Sequence, residues 1–91
     1  MMKKIEIKVS GRVQGVGFRY FTLRCAQEFS ILGNVRNTST GKVKVIAVGS
    51  EDNMEFFLQK INRGPRMAIV EKMEINELSA VKDFSDFRIE H

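Results

Sequence analysis

The period of the apolar residues changes abruptly at residue 18, and that change limits the folds open to this chain. Before it, Ile5, Ile7 and Val9 alternate with Lys4, Glu6 and Lys8, the two-residue repeat of a half-buried strand. After it, Phe18, Phe21, Cys25 and Phe29 recur at steps of three and four, with Leu23 and Ala26 beside them. That stripe predicts an amphipathic helix over roughly residues 18–29. The glycine-rich stretch Gly11 to Gly17 separates the two patterns and is expected to break the strand, and Gly33 to reset the backbone after the helix.

The remaining elements follow from the same periods. Asn34 to Asn37 is a short extended segment, Thr38-Ser39-Thr40-Gly41 a turn with Gly41 suited to positive φ, and Lys42 to Val48 the second strand of the hairpin. In that strand Val43, Val45 and Ala47 share one face and Ile46 and Val48 the other. Ser50 can cap the next helix, with Glu51 and Asp52 in its first turn and Met54, Phe57, Leu58 and Ile61 as its apolar stripe; Phe56 falls off that stripe. Gly64-Pro65 ends it. A strand is expected from about Ala68 to Leu78. Ala68 and Val70 have one parity and Met73 and Ile75 the other, so a bulge is predicted near Glu71–Lys72. Phe87 and Ile89 alternate in a short final strand. The order strand, helix, strand, strand, helix, strand predicts a ferredoxin-like α+β fold, with two helices on one face of a mostly antiparallel sheet and a short extra C-terminal strand. Such a fold hosts many functions and decides none.

A chain of 91 residues suits one domain, residues 1–91, with a small core. With one cysteine, Cys25, no intramolecular disulfide can form. The start alternates charge with apolar residues and lacks the apolar centre of a signal peptide, and no window approaches a membrane span. A cytoplasmic location is the expectation. Fifteen Lys and Arg against eleven Asp and Glu give a net charge of +4, a modest bias toward anionic partners that scattered surface charge also explains.

The chemistry concentrates in Gly11-Arg12-Val13-Gln14-Gly15-Val16-Gly17-Phe18-Arg19, between a strand and a helix. Its glycines let successive N–H groups converge on one point, and the helix N-terminus adds positive character. Arg19 in the first helical turn opposes the helix dipole unless an anion sits there. A flexible connection followed by a solvated arginine is the competing reading. The loop is neither a Walker loop, lacking Gly-Lys-Ser/Thr, nor a dinucleotide fingerprint. The single histidine, His91, is the last residue and reads as a frayed end. Cys25 lies on an apolar stripe, where a small core residue is the commoner role. No metal-ligand spacing and no nucleophilic triad is visible. An anion cradle, arginines and amides suit a substrate that already carries a good leaving group, as an acyl phosphate does.

Gly11 to Arg19 resembles the glycine loop of the acylphosphatases, which ends in Phe-Arg. Gly33-Asn34-Val35-Arg36-Asn37 followed by Gly41-Lys42-Val43 resembles their second motif. Arg63-Gly64-Pro65, Ala68 and Val70, and Phe84 with Phe87-Arg88-Ile89 also fit that family, so the resemblance covers nearly the whole chain. Asn34 stands where the family often has an aromatic residue, and Thr40-Gly41 where Asp-Gly is common.

The resemblance implies hydrolysis of acyl phosphates to a carboxylate and inorganic phosphate, without metal or cofactor. By motif position, Arg19 resembles the family's substrate-binding arginine and Asn37 the asparagine that orients the attacking water. The backbone amides of Gln14, Gly15, Val16, Gly17 and Phe18, with Arg19, complete the phosphate cradle, and the substrate phosphate itself helps accept the water's proton. From its own context, Asn37 could instead bond its local turn. Arg12 and Arg36 could broaden the positive field or be plain surface charges. The expected partner is a small-molecule acyl phosphate, with inorganic phosphate as product and inhibitor and the protein a monomer. A membrane partner is not expected, nor is a nucleic acid, because an RNA-reading sheet needs outward aromatics that Ile5–Val9 and Val43–Val48 lack. The alternative is a non-catalytic or carbamoyl-phosphate-handling module of the same fold.

Overall fold

The computed structural model of the protein describes residues 1–80 and 82–91. The elements are β1 (Met2–Arg12), α1 (Phe18–Glu28), β2 (Leu32–Asn37), β3 (Val43–Ser50), α2 (Glu51–Arg63), β4 (Ile69–Glu77) and β5 (Phe87–Glu90). They form one five-stranded sheet in the order β4-β1-β3-β2-β5. Every pairing is antiparallel except β2 with β5, which is parallel. Both helices cover one face, as the sequence pattern requires.

From the sheet, Ile5, Ile7, Val9, Val35, Val43, Val45, Ala47 and Phe87 are buried in the core beneath the helices, while Val48, of opposite parity, is buried outside that cluster. Against them pack Phe18, Cys25 and Ala26 of α1 and Met54, Phe57 and Ile61 of α2. Apolar burial of this kind is worth about 1.5–3 kcal/mol per large side chain. Thr22 also lies in the core, which the apolar stripe did not indicate. Its hydroxyl donates to the carbonyl of Phe18 at 2.9 Å, so the buried hydroxyl has a partner. Ser50 caps α2 by accepting from the N–H of Asn53 at 3.2 Å. Phe56 is exposed and stacks on Phe29, with ring centres 5.9 Å apart.

Several boundaries differ from the sequence reading, β3 among them, which spans Val43–Ser50 instead of Lys42–Val48. β1 runs through Gly11 and Arg12 instead of stopping at the glycine, because β4 follows it: Gly11 pairs with Val70 and Arg12 with Ile69. Between Ser10 and Gly11 the partner jumps from Lys72 to Val70, leaving Glu71 as the extra residue of a bulge. The expected bulge is thus present, and it brings Val70 and Met73 onto the core side despite their opposite parity. β2 begins at Leu32, so Gly33 lies inside a strand and does not interrupt it. At φ 139°, a Cβ there would stand 1.8 Å from the carbonyl oxygen of Ile46. The glycine is needed for close approach to β3, not for a turn. β4 is shorter than expected at both ends, although the N–H of Leu78 still bonds the carbonyl of Lys4 at 2.8 Å.

Candidate active site

The glycine loop is held at both ends by core side chains. Val13 and Phe18 are buried, while Gly15 and Gly17 between them are exposed. Gly15 has φ 74° and Gly17 φ 77°. Left-handed residues at alternate positions are the backbone pattern of anion-binding concavities. Gly17 is also the N-cap of α1 and supplies no side chain to its first N–H groups. The first turn of α1 has no acidic residue. By contrast, α2 carries Glu51 and Asp52 at its start and Lys60 and Arg63 at its end. The unneutralised start of α1, with Arg19 next to it, is electrostatically suited to an anion.

A cavity of about 200 Å³ opens at this point. The loop contributes Gly15 and Gly17, and α1 contributes Phe18, Arg19 and Tyr20. Asn37, the last residue of β2, forms another wall, and Ile89 and His91 close the side toward β5. Five residues expected at the site from the sequence therefore line one cavity: Gly15, Gly17, Phe18, Arg19 and Asn37. Gln14 and Val16 are not among the lining residues. Neither are Arg12 and Arg36, which are exposed.

Gln14 has a different task for its side chain. Its Nε2 donates to the carbonyl oxygens of Thr38 at 2.9 Å and Lys42 at 2.8 Å. The glycine loop is thereby bonded to the turn that follows Asn37. The turn closes through the Thr38 N–H to the Lys42 carbonyl at 2.9 Å, and the Thr38 hydroxyl accepts from the Lys42 N–H at 3.1 Å. The threonine hydroxyl thus performs the local turn bonding that Asn37 could have taken.

Arg19 is oriented by the other end of the chain. Its Nη1 donates to the carbonyl of Glu90 at 3.3 Å and lies 3.3 Å from Nδ1 of His91. The parallel pairing of β2 with β5 explains this meeting. Arg36 stands opposite Glu90 in register, so the ends of the two strands emerge together beside α1. His91, which reads as a frayed end in sequence, sits at the cavity. Tyr20 was also not indicated by the sequence, because its position off the apolar stripe gave no sign of a neighbouring cavity.

Cys25 remains a core residue. Burial pushes its thiol up, with the nearby Glu28 carboxylate adding to the effect, so the nucleophilic thiolate is disfavoured. Among the described residues, no helix is long and apolar enough to cross a membrane.

The family model for acylphosphatase matches residues 5–89. The chain belongs to the acylphosphatase family. It is 41% identical over 91 residues to the acylphosphatase of Oceanobacillus iheyensis, covering 99% of this chain and all of the relative. It is 42% identical over 88 residues to that of Archaeoglobus fulgidus, covering 97% and 98%. In structure it is similar to the acylphosphatase of Bacillus subtilis, with TM-score 0.94, 32% identity and full coverage of both chains. The matched span, residues 5–89, includes both the glycine loop and the end of β2 that line the cavity.

Proposed function

We propose that this chain is an acylphosphatase that hydrolyses the carboxyl–phosphate bond of acyl phosphates, with Arg19 and the loop holding the phosphoryl group and Asn37 directing the water. The observation that carries the reading is the shared cavity: a guanidinium, an uncapped helix start and a carboxamide face one small space. The backbone N–H groups from Gln14 to Phe18 and the Arg19 guanidinium bind the phosphoryl oxygens. Asn37 accepts a hydrogen bond from the attacking water through its amide oxygen and orients it in line with the leaving group. The water oxygen bonds to phosphorus as the phosphorus–oxygen bond to the acyl group breaks. The electron pair leaves with the carboxylate, and the water's proton passes to a phosphoryl oxygen. A carboxylate is a weak base and needs no acid to leave, so positioning and charge stabilisation suffice.

Relatives matched along their whole length are acylphosphatases, which favours hydrolysis over a non-catalytic module. The outward side chains of the central strands, Lys4, Glu6, Lys8, Lys44 and Ile46, offer no aromatic platform to RNA. The substrate is a small molecule, the phosphate product competes with it, and the protein acts as a cytoplasmic monomer of one domain.

The test is release of inorganic phosphate from benzoyl phosphate with and without a chelator. Equal rates in both are expected. No release, or release abolished by the chelator, contradicts the proposal.

A further inference from the structure

A second, wider groove of about 780 Å³ adjoins the cavity, and the two share Gly17 and Tyr20. From Tyr20 the groove runs along α1 past Phe21, Arg24 and Cys25 to Lys60 and Pro65. Asn37 lines the cavity but not this groove. Tyr20 is 59% exposed, with the Arg24 guanidinium 5.9 Å from its ring centre one helical turn away. The cation limits the ring's freedom and leaves an aromatic side chain standing at the junction of the two spaces.

The cavity is smaller than the ~300–1,000 Å³ typical of pockets that enclose a whole organic ligand. With the phosphoryl group seated on the loop, the acyl group extends from it across the rest of the cavity toward one of its open sides. In-line displacement puts the leaving oxygen opposite the attacking water. With the water at Asn37, the acyl group departs on a side away from that residue, and the groove past Gly17 and Tyr20 has no Asn37 wall.

On the reading that the cavity hydrolyses acyl phosphates, we infer that Tyr20 is its specificity-determining residue: its ring packs against the acyl group and favours aromatic acyl phosphates over small aliphatic ones. The first segment of the groove, between Tyr20 and Phe21, receives that group. The tyrosine hydroxyl takes no part, because the contact is made by the ring.

The test compares kcat/KM for benzoyl phosphate and acetyl phosphate in wild type, Tyr20→Ala and Tyr20→Phe, with the inhibition constant for inorganic phosphate measured on each. The benzoyl-to-acetyl ratio should fall about five- to tenfold in Tyr20→Ala, the scale of one aromatic contact, and stay at the wild-type value in Tyr20→Phe. An unchanged ratio in Tyr20→Ala overturns the inference. So does a drop shared equally by both substrates and matched by weaker phosphate inhibition, which would assign Tyr20 to the phosphate cradle. A wild-type protein inactive on both substrates is a failure of the hydrolase reading; an active one with an unchanged ratio is a failure of this inference alone.

Discussion

The side-chain amide of Gln14 donates to the carbonyl of Thr38 across 2.9 Å, joining the glycine loop to the turn next to Asn37. The bond, with its companion to Lys42 at 2.8 Å, ties together two segments that lie apart in the chain. In the proposed mechanism the loop holds the phosphoryl group and the β2 end carries Asn37, so this amide helps fix their relative placement. Gln14→Ala should lose about 1–3 kcal/mol of stability, the scale of two part-buried hydrogen bonds. Its kcat should fall more than its phosphate affinity, because the loop's own conformation is set by its glycines. Urea unfolding and steady-state kinetics on the same preparation check both.

Arg19 donates to the carbonyl of Glu90 and stands at the start of α1, where no acidic residue offsets its charge. Arg19→Ala should lower kcat/KM for benzoyl phosphate at least a hundredfold, as loss of a key charge-stabilising donor costs about 3–4 kcal/mol. Arg19→Lys should recover only part of this, since an ammonium cannot reproduce a two-pronged contact with phosphoryl oxygens. Full activity in Arg19→Lys would show that only a point charge is needed there.

Two glycines should respond differently to alanine. At Gly33 a Cβ would meet the Ile46 carbonyl at 1.8 Å, whereas nothing lies within 4 Å of one at Gly15. Gly33→Ala should cost about 3 kcal/mol or more, from strain and overpacking together, and lower Tm by at least about 12 °C. Gly15→Ala carries only its backbone penalty, about 1–2 kcal/mol. Because Gly15 lines the cavity, its variant should instead weaken inhibition by inorganic phosphate. Thermal melts and phosphate inhibition of the two variants separate the effects.

The features legible in the sequence are those set by neighbours along the chain. The stripe from Phe18 to Cys25 showed α1, Ser50 with Glu51 and Asp52 showed the start of α2, and the change of parity between Val70 and Met73 showed the bulge. Arg19 and Asn37 stood out because each sits at a glycine-marked boundary within a recognisable motif. Illegible were the contacts made by strand pairing at a distance. Phe87 and Ile89 reveal a strand, but nothing local states that it lies parallel to β2, and that choice alone brings His91 to Arg19. Gln14 and Thr38 are separated by 24 residues, and no periodicity links them. The role of Gly33 is illegible for the same reason: the carbonyl it must clear belongs to β3.

The buried thiol of Cys25 gives stability a pH dependence. Its folded pKa is raised above the unfolded value, chiefly by burial. The stabilisation is therefore complete below the unfolded thiol's pKa, about 8.5, and is lost as pH rises beyond it. Lys3, held protonated by its hydrogen bond to Glu77, acts in the same direction at higher pH. The denaturant midpoint of the wild type should thus fall more steeply between pH 8 and pH 10 than that of Cys25→Ala. Equal slopes would mean that the thiol is not sequestered in the folded state.

In the proposed mechanism, holding the phosphoryl group and aiming the water are separate tasks, and Asn37→Ala parts them. Turnover of benzoyl phosphate and the inhibition constant for inorganic phosphate should be measured on one folded preparation of this variant. The expected result is a kcat reduced at least a hundredfold, on the scale of about 3 kcal/mol for a lost catalytic hydrogen bond, with phosphate inhibition within about threefold of wild type. Near-normal turnover, or loss of phosphate inhibition in step with turnover, would contradict it.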